Sequence, residues 1–233
     1  FAPNANDLTV KVGNLGTDPS ETELPVLAWA RSSCVYTACD QVWRLALKHS
    51  SLQNSGRLRE EKTYPEIFKY LGWCSWEQYH KDISSELLVD AAKRINASEL
   101  PIRFFLVDDG YFIATEDAAL LELGADCSTF PEGWKPLLDQ QCQDGLRWFG
   151  VWQNFNGYWG RIANDNQLSN ELNSHLMDVP AGGLMPKPTL SDAVAWYEAM
   201  LEVARDGAFD FIKVDNQAQG LHNYQGTQNA VKG

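Results

Sequence analysis

The chain has 233 residues with 44% apolar content, enough for one sizeable core or for one domain with part of another. Acidic residues outnumber basic ones 31 to 19, a formal charge of -12 that repels phosphate backbones and anionic headgroups and so disfavours nucleic acid and membrane partners. No apolar run approaches the roughly 20 residues needed to span a bilayer, and five cysteines without a C-x-x-C pair argue for neither a disulfide framework nor a zinc site.

The N-terminal residues lack the charged and apolar regions of a secretory signal, which leaves the compartment open with the cytoplasm slightly favoured. Asn96-Ala97-Ser98 fits the glycosylation pattern, but chance occurrence is the better reading. Residues 1–63 form an N-terminal segment and helix that precede the main α/β region. The segment holds a strand candidate, Leu8-Thr9-Val10-Lys11-Val12, among turn formers, as if from another, β-rich domain. Val35, Cys39, Val42, Trp43 and Ala46 then recur at helical spacing between Cys34 and Lys48, and Asn54-Ser55-Gly56 separates this helix from the rest.

Residues 64–233 alternate short β-type runs with helical runs, the signature of parallel β/α units. The first core strand is expected at about 71–76, followed by a helix at about 84–95 with Leu87, Leu88, Ala91 and Ile95 as its apolar face. The second strand, Ile102–Val107, is apolar enough to be covered on both faces. A helix at about 132–144 leads to the third strand, Arg147–Trp152. The polar stretch from Gln153 to Pro188 reads as a long functional loop. Thr189 and Asp192 cap a helix that Gly207 stops, and Phe209–Val214 is the fourth strand. This is the cadence of a (β/α)₈ barrel, of which about four units, the first half, are present. A smaller doubly wound α/β sheet is the competing architecture.

Barrel chemistry sits where strands end, and each of the four strands ends in polar or aromatic groups. Lys213 and Asp215, two apart in a strand, share a face, so the ammonium keeps the carboxylate charged as an anomeric nucleophile requires. A purely structural ion pair is equally compatible with that spacing. Asp108-Asp109 can accept bonds from vicinal sugar hydroxyls, ligate a cation, or form an ordinary Asp-Asp-Gly turn. Trp76 and Trp152 are placed as apolar walls for a pyranose ring, with Asn154, Asn156, Tyr158 and Trp159 extending an outer subsite. Trp73 and Trp148 read as core, Glu77 as a group orienting Trp76 or a surface residue, and His49, His80, His175 and His222 as solvated or structural. No cofactor and no metal site is expected. A metal site on Asp108, Asp109 and Asp215 is the alternative.

Leu71-Gly72-Trp73-Cys74-Ser75-Trp76-Glu77, Phe105-Leu106-Val107-Asp108-Asp109-Gly110-Tyr111, Phe149–Trp152 through Asn156–Gly160, and Ile212-Lys213-Val214-Asp215-Asn216-Gln217 resemble the raffinose synthase and seed imbibition protein family, in the α-galactosidase clan of glycoside hydrolases. The resemblance implies a retaining mechanism on small α-galactosides or oligosaccharides. Asp215 matches the nucleophile, Lys213 a lysine that contacts the sugar, Asp108 and Asp109 the pair that grips hydroxyls, and Trp76 the aromatic wall. Tyr111 and Asn216 depart from the family's usual Trp and Val, which bears on acceptor and leaving-group preference. The general acid/base of the clan comes from a later strand. The C-terminal half of the barrel is thus expected beyond Gly233, and these residues alone are expected to be inactive. Hydrolase, galactosyltransferase and catalytically dead galactoside-binding module remain the alternatives.

Overall fold

The computed structural model describes residues 2–4, 7–9, 26–49, 52, 56–159, 161–180, 182–217 and 219–224. The chain divides into two compact units, Phe1–Pro65 and Glu66–Gly233. In the first, β1 (Ala2–Asn4) pairs antiparallel with β2 (Asp7–Thr9), and α1 (Val35–Ala46) follows. Arg44 on α1 bonds Asp40 one turn back at 2.8 Å and also reaches Glu60. Val10, Lys11 and Val12 of the expected first strand, and Asn54 and Ser55 of the expected separator, lie outside the described residues, as does Gly160. The side chain of His222 lies outside them too.

The second unit runs β3 (Leu71–Cys74), α2 (Trp76–Tyr79), α3 (Ser85–Asn96), β4 (Ile102–Val107), β5 (Phe112–Ala114), β6 (Leu120–Ala125), α4 (Lys135–Leu138), β7 (Trp148–Asn154), α5 (Gln167–Glu171), β8 (Leu176–Asp178), β9 (Leu184–Pro186), α6 (Leu190–Asp206) and β10 (Phe211–Asp215). β3, β4, β7 and β10 form one parallel sheet in chain order, each hydrogen-bonded to the next. That order is the one a barrel builds, whereas a doubly wound sheet reverses it at a switch point. The fold is therefore α/β, with the strand order of the first four units of a barrel. No helix among the described residues is long and apolar enough to cross a membrane.

The period-2 alternation of the strands gives the sheet two different faces. On one, Phe105, Val107, Phe149 and Val151 pack with Leu88, Ala91 and Ala92 of α3, Leu137 of α4 and Ala204 of α6. The other carries aromatic rings at the strand starts. Phe104 of β4 and Phe211 of β10 meet with ring centroids 5.7 Å apart, and Phe68 packs edge-on against both. β7 lies between those two strands, and its residue there is Gly150. A Cβ on Gly150 would sit 2.2 Å from the Phe211 ring, and one on Gly72 would sit 1.9 Å from the Phe104 ring. Glycine is what lets the rings close over the sheet.

Several expected boundaries shift, each for a local reason. β3 stops at Cys74 because the Ser75 carbonyl accepts from the Gln78 and Tyr79 N–H groups and so starts α2. Within α3, capped by Ser84, the buried positions are Leu88, Ala91 and Ala92, while Leu87 faces out. The helix expected at 132–144 is only Lys135–Leu138. Asn96 undoes the rest, since its amide donates to the Gln140 carbonyl at 2.8 Å and accepts from the Leu146 N–H at 2.9 Å. With both ends of that amide engaged, Asn96 is also no free acceptor for a glycan. The stretch Gln153–Pro188 is not one loop. It extends β7 to Asn154 and then contains α5, β8 and β9, the last two paired antiparallel, while β5 and β6 form an unexpected hairpin. Ile162 bridges both hairpins, to Leu120 and to Leu184. α6 behaves as read: Thr189 accepts from the Asp192 N–H and Gly207 ends it.

Gly150→Ala is expected to lower stability by about 1–3 kcal/mol through overpacking against Phe211. Gly124→Ala on β6, where an added Cβ meets nothing within 4 Å, serves as the control. Urea midpoints of the two variants check this, and equal midpoints would show that the rings do not need the glycine.

Candidate active site

The polar ends of the four core strands meet on the face that carries the aromatic rings. Lys213 donates to Asp108 at 2.8 Å and lies 3.5 Å from Asp215. Two strand ends are thereby joined by one ammonium, which occupies the space between the carboxylates. Burial opposes the charge of Lys213, but its bond to Asp108 and the attraction of both carboxylates outweigh this and raise its pKa. Asp108 is buried and densely bonded. Its Oδ2 also accepts from Cys74 Sγ at 3.3 Å, its Oδ1 from the Asp109 N–H at 2.9 Å, and its own N–H donates to Ser75 Oγ at 2.8 Å.

Asp215 is the open member of the group, with its side chain 44% exposed. The Trp152 indole N–H donates to its Oδ2 at 3.1 Å and the Asn216 N–H to its Oδ1 at 2.8 Å. These bonds, the indole first, together with Lys213 hold its pKa below the ordinary carboxylate value against the opposing effect of burial. Asn216 itself sits at φ 55°, a left-handed conformation that asparagine tolerates better than a β-branched residue would.

Asp109 points to a separate cluster. Its Oδ2 accepts from Tyr158 Oη at 3.2 Å and Trp159 Nε1 at 3.3 Å, and Lys81 Nζ lies 3.4 Å away. Its Oδ1 is buried, with no hydrogen-bond partner among the described residues. Burial raises the Asp109 pKa, with Lys81, Tyr158 and Trp159 pulling it back in part. Lys81, in the loop before α3, was not among the residues singled out from the sequence. No motif carries it: in the sequence it stands in the polar run His80-Lys81-Asp82 between the first expected strand and the next expected helix.

Trp76 starts α2, half-buried, with its ring edge-on to His80 at 5.1 Å. Trp152, read as a wall for a sugar ring, is 1% exposed. It lies on the same sheet face as Asp215, and Phe112 of the unexpected hairpin, Tyr158 and Trp159 cover it, with centroids 5.8, 6.3 and 6.4 Å away. It holds a carboxylate rather than offering a surface. Asn154 and Asn156, expected in an outer subsite, are also buried, as β7 runs on through Asn154. Tyr158 is buried, whereas Trp159 is 38% exposed. Tyr111 packs in the core and donates to the Trp152 carbonyl, away from any open subsite. Glu77 is exposed, and His175 is structural, bonded to Asp192 at 2.9 Å. Trp73 packs against Phe105 with centroids 4.4 Å apart. Among the described residues no cluster of three His, Cys, Asp or Glu has the geometry to hold a metal.

Trp152→Phe should raise the Asp215 pKa towards the ordinary value. A depressed carboxylate contributes stability above its unfolded pKa and loses it as pH falls through the folded value, so this variant should lose that contribution at a higher pH than the parent. Carboxyl carbon-13 titration of Asp215 measures the shift, and an unmoved midpoint would mean the indole bond is not formed in solution. Burial pushes the Cys74 thiol up to about 11. At pH 8 iodoacetamide should therefore label exposed Cys34, Cys39, Cys127 and Cys142 well before Cys74, in an order mass spectrometry reads directly.

Residues 28–134 match the family model described as "Raffinose synthase or seed imbibition protein Sip1". A probable galactinol–sucrose galactosyltransferase 6 of Arabidopsis thaliana is 26% identical over 95% of this chain and 31% of its own length. Stachyose synthase of Pisum sativum is 30% identical over 31% of this chain and 9% of its own. The chain thus spans about a third of the first of these relatives. Among solved structures, an α-galactosidase from Thermus thermophilus in complex with p-nitrophenyl α-D-galactopyranoside matches 70% of this chain and 34% of its own, with a TM-score of 0.50 at 20% identity. That likeness shows a shared fold. Over residues 28–134 the chain is thus similar in sequence to the raffinose synthase and seed imbibition protein family, and separately it shares its fold with an α-galactosidase.

Proposed function

We propose that the chain carries the nucleophile half of a retaining enzyme that processes α-galactosides through a covalent galactosyl intermediate on Asp215. The observation that carries this reading is the state of that carboxylate: solvent-accessible at a strand end, bonded by an indole and a backbone N–H, and kept charged beside Lys213. Asp215 attacks the anomeric carbon as the glycosidic C–O bond breaks, and the departing oxygen takes a proton from a general acid. A water or sugar hydroxyl, deprotonated by the same group, then displaces Asp215. Asp108 and Asp109 grip ring hydroxyls, and Trp76 stacks on the apolar face of the sugar.

Retaining enzymes place the acid/base about 5 Å from the nucleophile. Both oxygens of Asp108 already accept hydrogen bonds, from Lys213 and Cys74 and from the Asp109 N–H, so this carboxyl is taken up in its own network. The acid/base is therefore assigned to a strand of the barrel outside the described residues, and these residues alone are expected to be inactive. The names of the plant relatives, galactosyltransferases and a stachyose synthase, favour a sugar acceptor over water.

In the full-length protein Asp215→Gly should cost at least about 10³-fold in turnover of an activated α-galactoside, the scale seen when a nucleophile is removed. Added azide should restore it with formation of a galactosyl azide. Undiminished turnover in this variant would rule the assignment out. Turnover of galactinol with and without sucrose separates transfer from hydrolysis, and free galactose as the sole product in both would rule out transfer.

A further inference from the structure

Asp109 and Asp108 are neighbours in the chain, yet their carboxylates belong to separate networks. Lys213 serves Asp108 from the fourth core strand. Asp109 has its own cation, Lys81, which donates to Tyr158 Oη at 2.7 Å while Tyr158 donates in turn to Asp109. The ammonium also lies over two rings, 5.0 Å from the Tyr158 centroid and 5.2 Å from that of Trp159. Its side chain is 49% exposed where the carboxylate it faces is 2%.

The backbone is built to put Lys81 there. His80 turns the chain at φ 50° immediately before it, and Gly110, immediately after Asp109, passes so close that a Cβ would meet the Lys81 carbonyl at 2.5 Å and its Cα at 2.8 Å. Gly110 also has φ 125°, so no other residue fits that approach. The loop before α3 and the turn after β4 are in this way fixed to each other.

We propose that Lys81 is a positioning residue for substrate binding, which with Tyr158 and Trp159 ties Asp109 Oδ2 so that Oδ1 is the Asp109 oxygen that accepts from a hydroxyl of the bound galactoside. This rests on the reading of the site as one that processes α-galactosides. Asp109 Oδ2 already has its three contacts, and Oδ1 is buried with none among the described residues. A buried acceptor without a donor is costly unless a ligand supplies one. The groups facing Asp109 are Lys81 from one loop and Tyr158 and Trp159 from another, and only Lys81 among them carries charge. An anionic Asp109 is the better acceptor, and burial works against that form. Lys81 acts through Asp109 on the grip of the ground-state sugar.

The test compares Lys81→Met and Lys81→Arg in the full-length protein, with an activated α-galactoside as substrate. Lys81→Met should raise KM by roughly tenfold at neutral pH with kcat changed by less than about twofold, the pattern of lost uniform binding. The acid limb of 1/KM should move to higher pH, because Asp109 without its cation protonates more readily, and Lys81→Arg should restore most of both. An unchanged KM, or kcat and KM altered by the same factors at every pH, would overturn the proposal. A parent protein that turns over no α-galactoside would instead defeat the functional reading. In that event carbon-13 titration of Asp109 still decides whether Lys81 governs it, and a midpoint unmoved in Lys81→Met refutes that.

Discussion

A single ammonium, that of Lys213, joins the ends of the second and fourth core strands, and the rest of the site is arranged around that contact. β4 and β10 are not neighbours, since β7 runs between them. Strands two apart in a sheet are separated by roughly 9.5 Å, so the lysine of one and the aspartate of the other must both lean over β7 to meet. Phe104 and Phe211 do the same at the opposite end of the strands, over Gly150. The polar contact and the ring contact thus cross the same central strand at two heights.

Within that geometry β7 has the central part. On the face of Asp215 it carries Trp148, Gly150, Trp152 and Asn154, so that the smallest side chain is followed directly by the largest. The absence of a side chain below lets the flanking rings close. The indole above fills the space beneath Asp215 and donates to it. Trp152 can hold that direction because a second core, built with Leu120, Tyr158 and Ile162, encloses it. The hairpin of β5 and β6 is therefore part of the support of a carboxylate that it does not touch.

Much of this was legible in the sequence because it follows from period two. The pairing of Lys213 with Asp215 on one face, the apolar run Ile102–Val107 and the capped helix from Thr189 each depend only on residues near in the chain. What escaped depends on residues far apart. The burial of Trp152 is decided by Phe112 and Tyr158, the shortening of α4 by the side chain of Asn96, and the importance of Lys81 by Tyr158, which is 77 residues away. The long stretch after β7 looked like a loop because β8 and β9 are only three residues each, too short for alternation to show.

The two adjacent aspartates also account for why the site needs two lysines. Both aspartates stand just past the end of β4, and their carboxylates leave the chain towards different cations. Asp108 continues the inward face of Phe104 and Leu106 and finds Lys213. Asp109 turns the other way, towards the loops, and finds Lys81. Each lysine is more exposed than its aspartate, 40% against 4% for Lys213 and Asp108, and 49% against 2% for Lys81 and Asp109. The ammonium groups keep contact with water while the carboxylates are taken out of it, which limits the desolvation cost to one partner of each pair. On a chain with a formal charge of -12, that division lets two carboxylates be buried side by side without repelling each other out of the site.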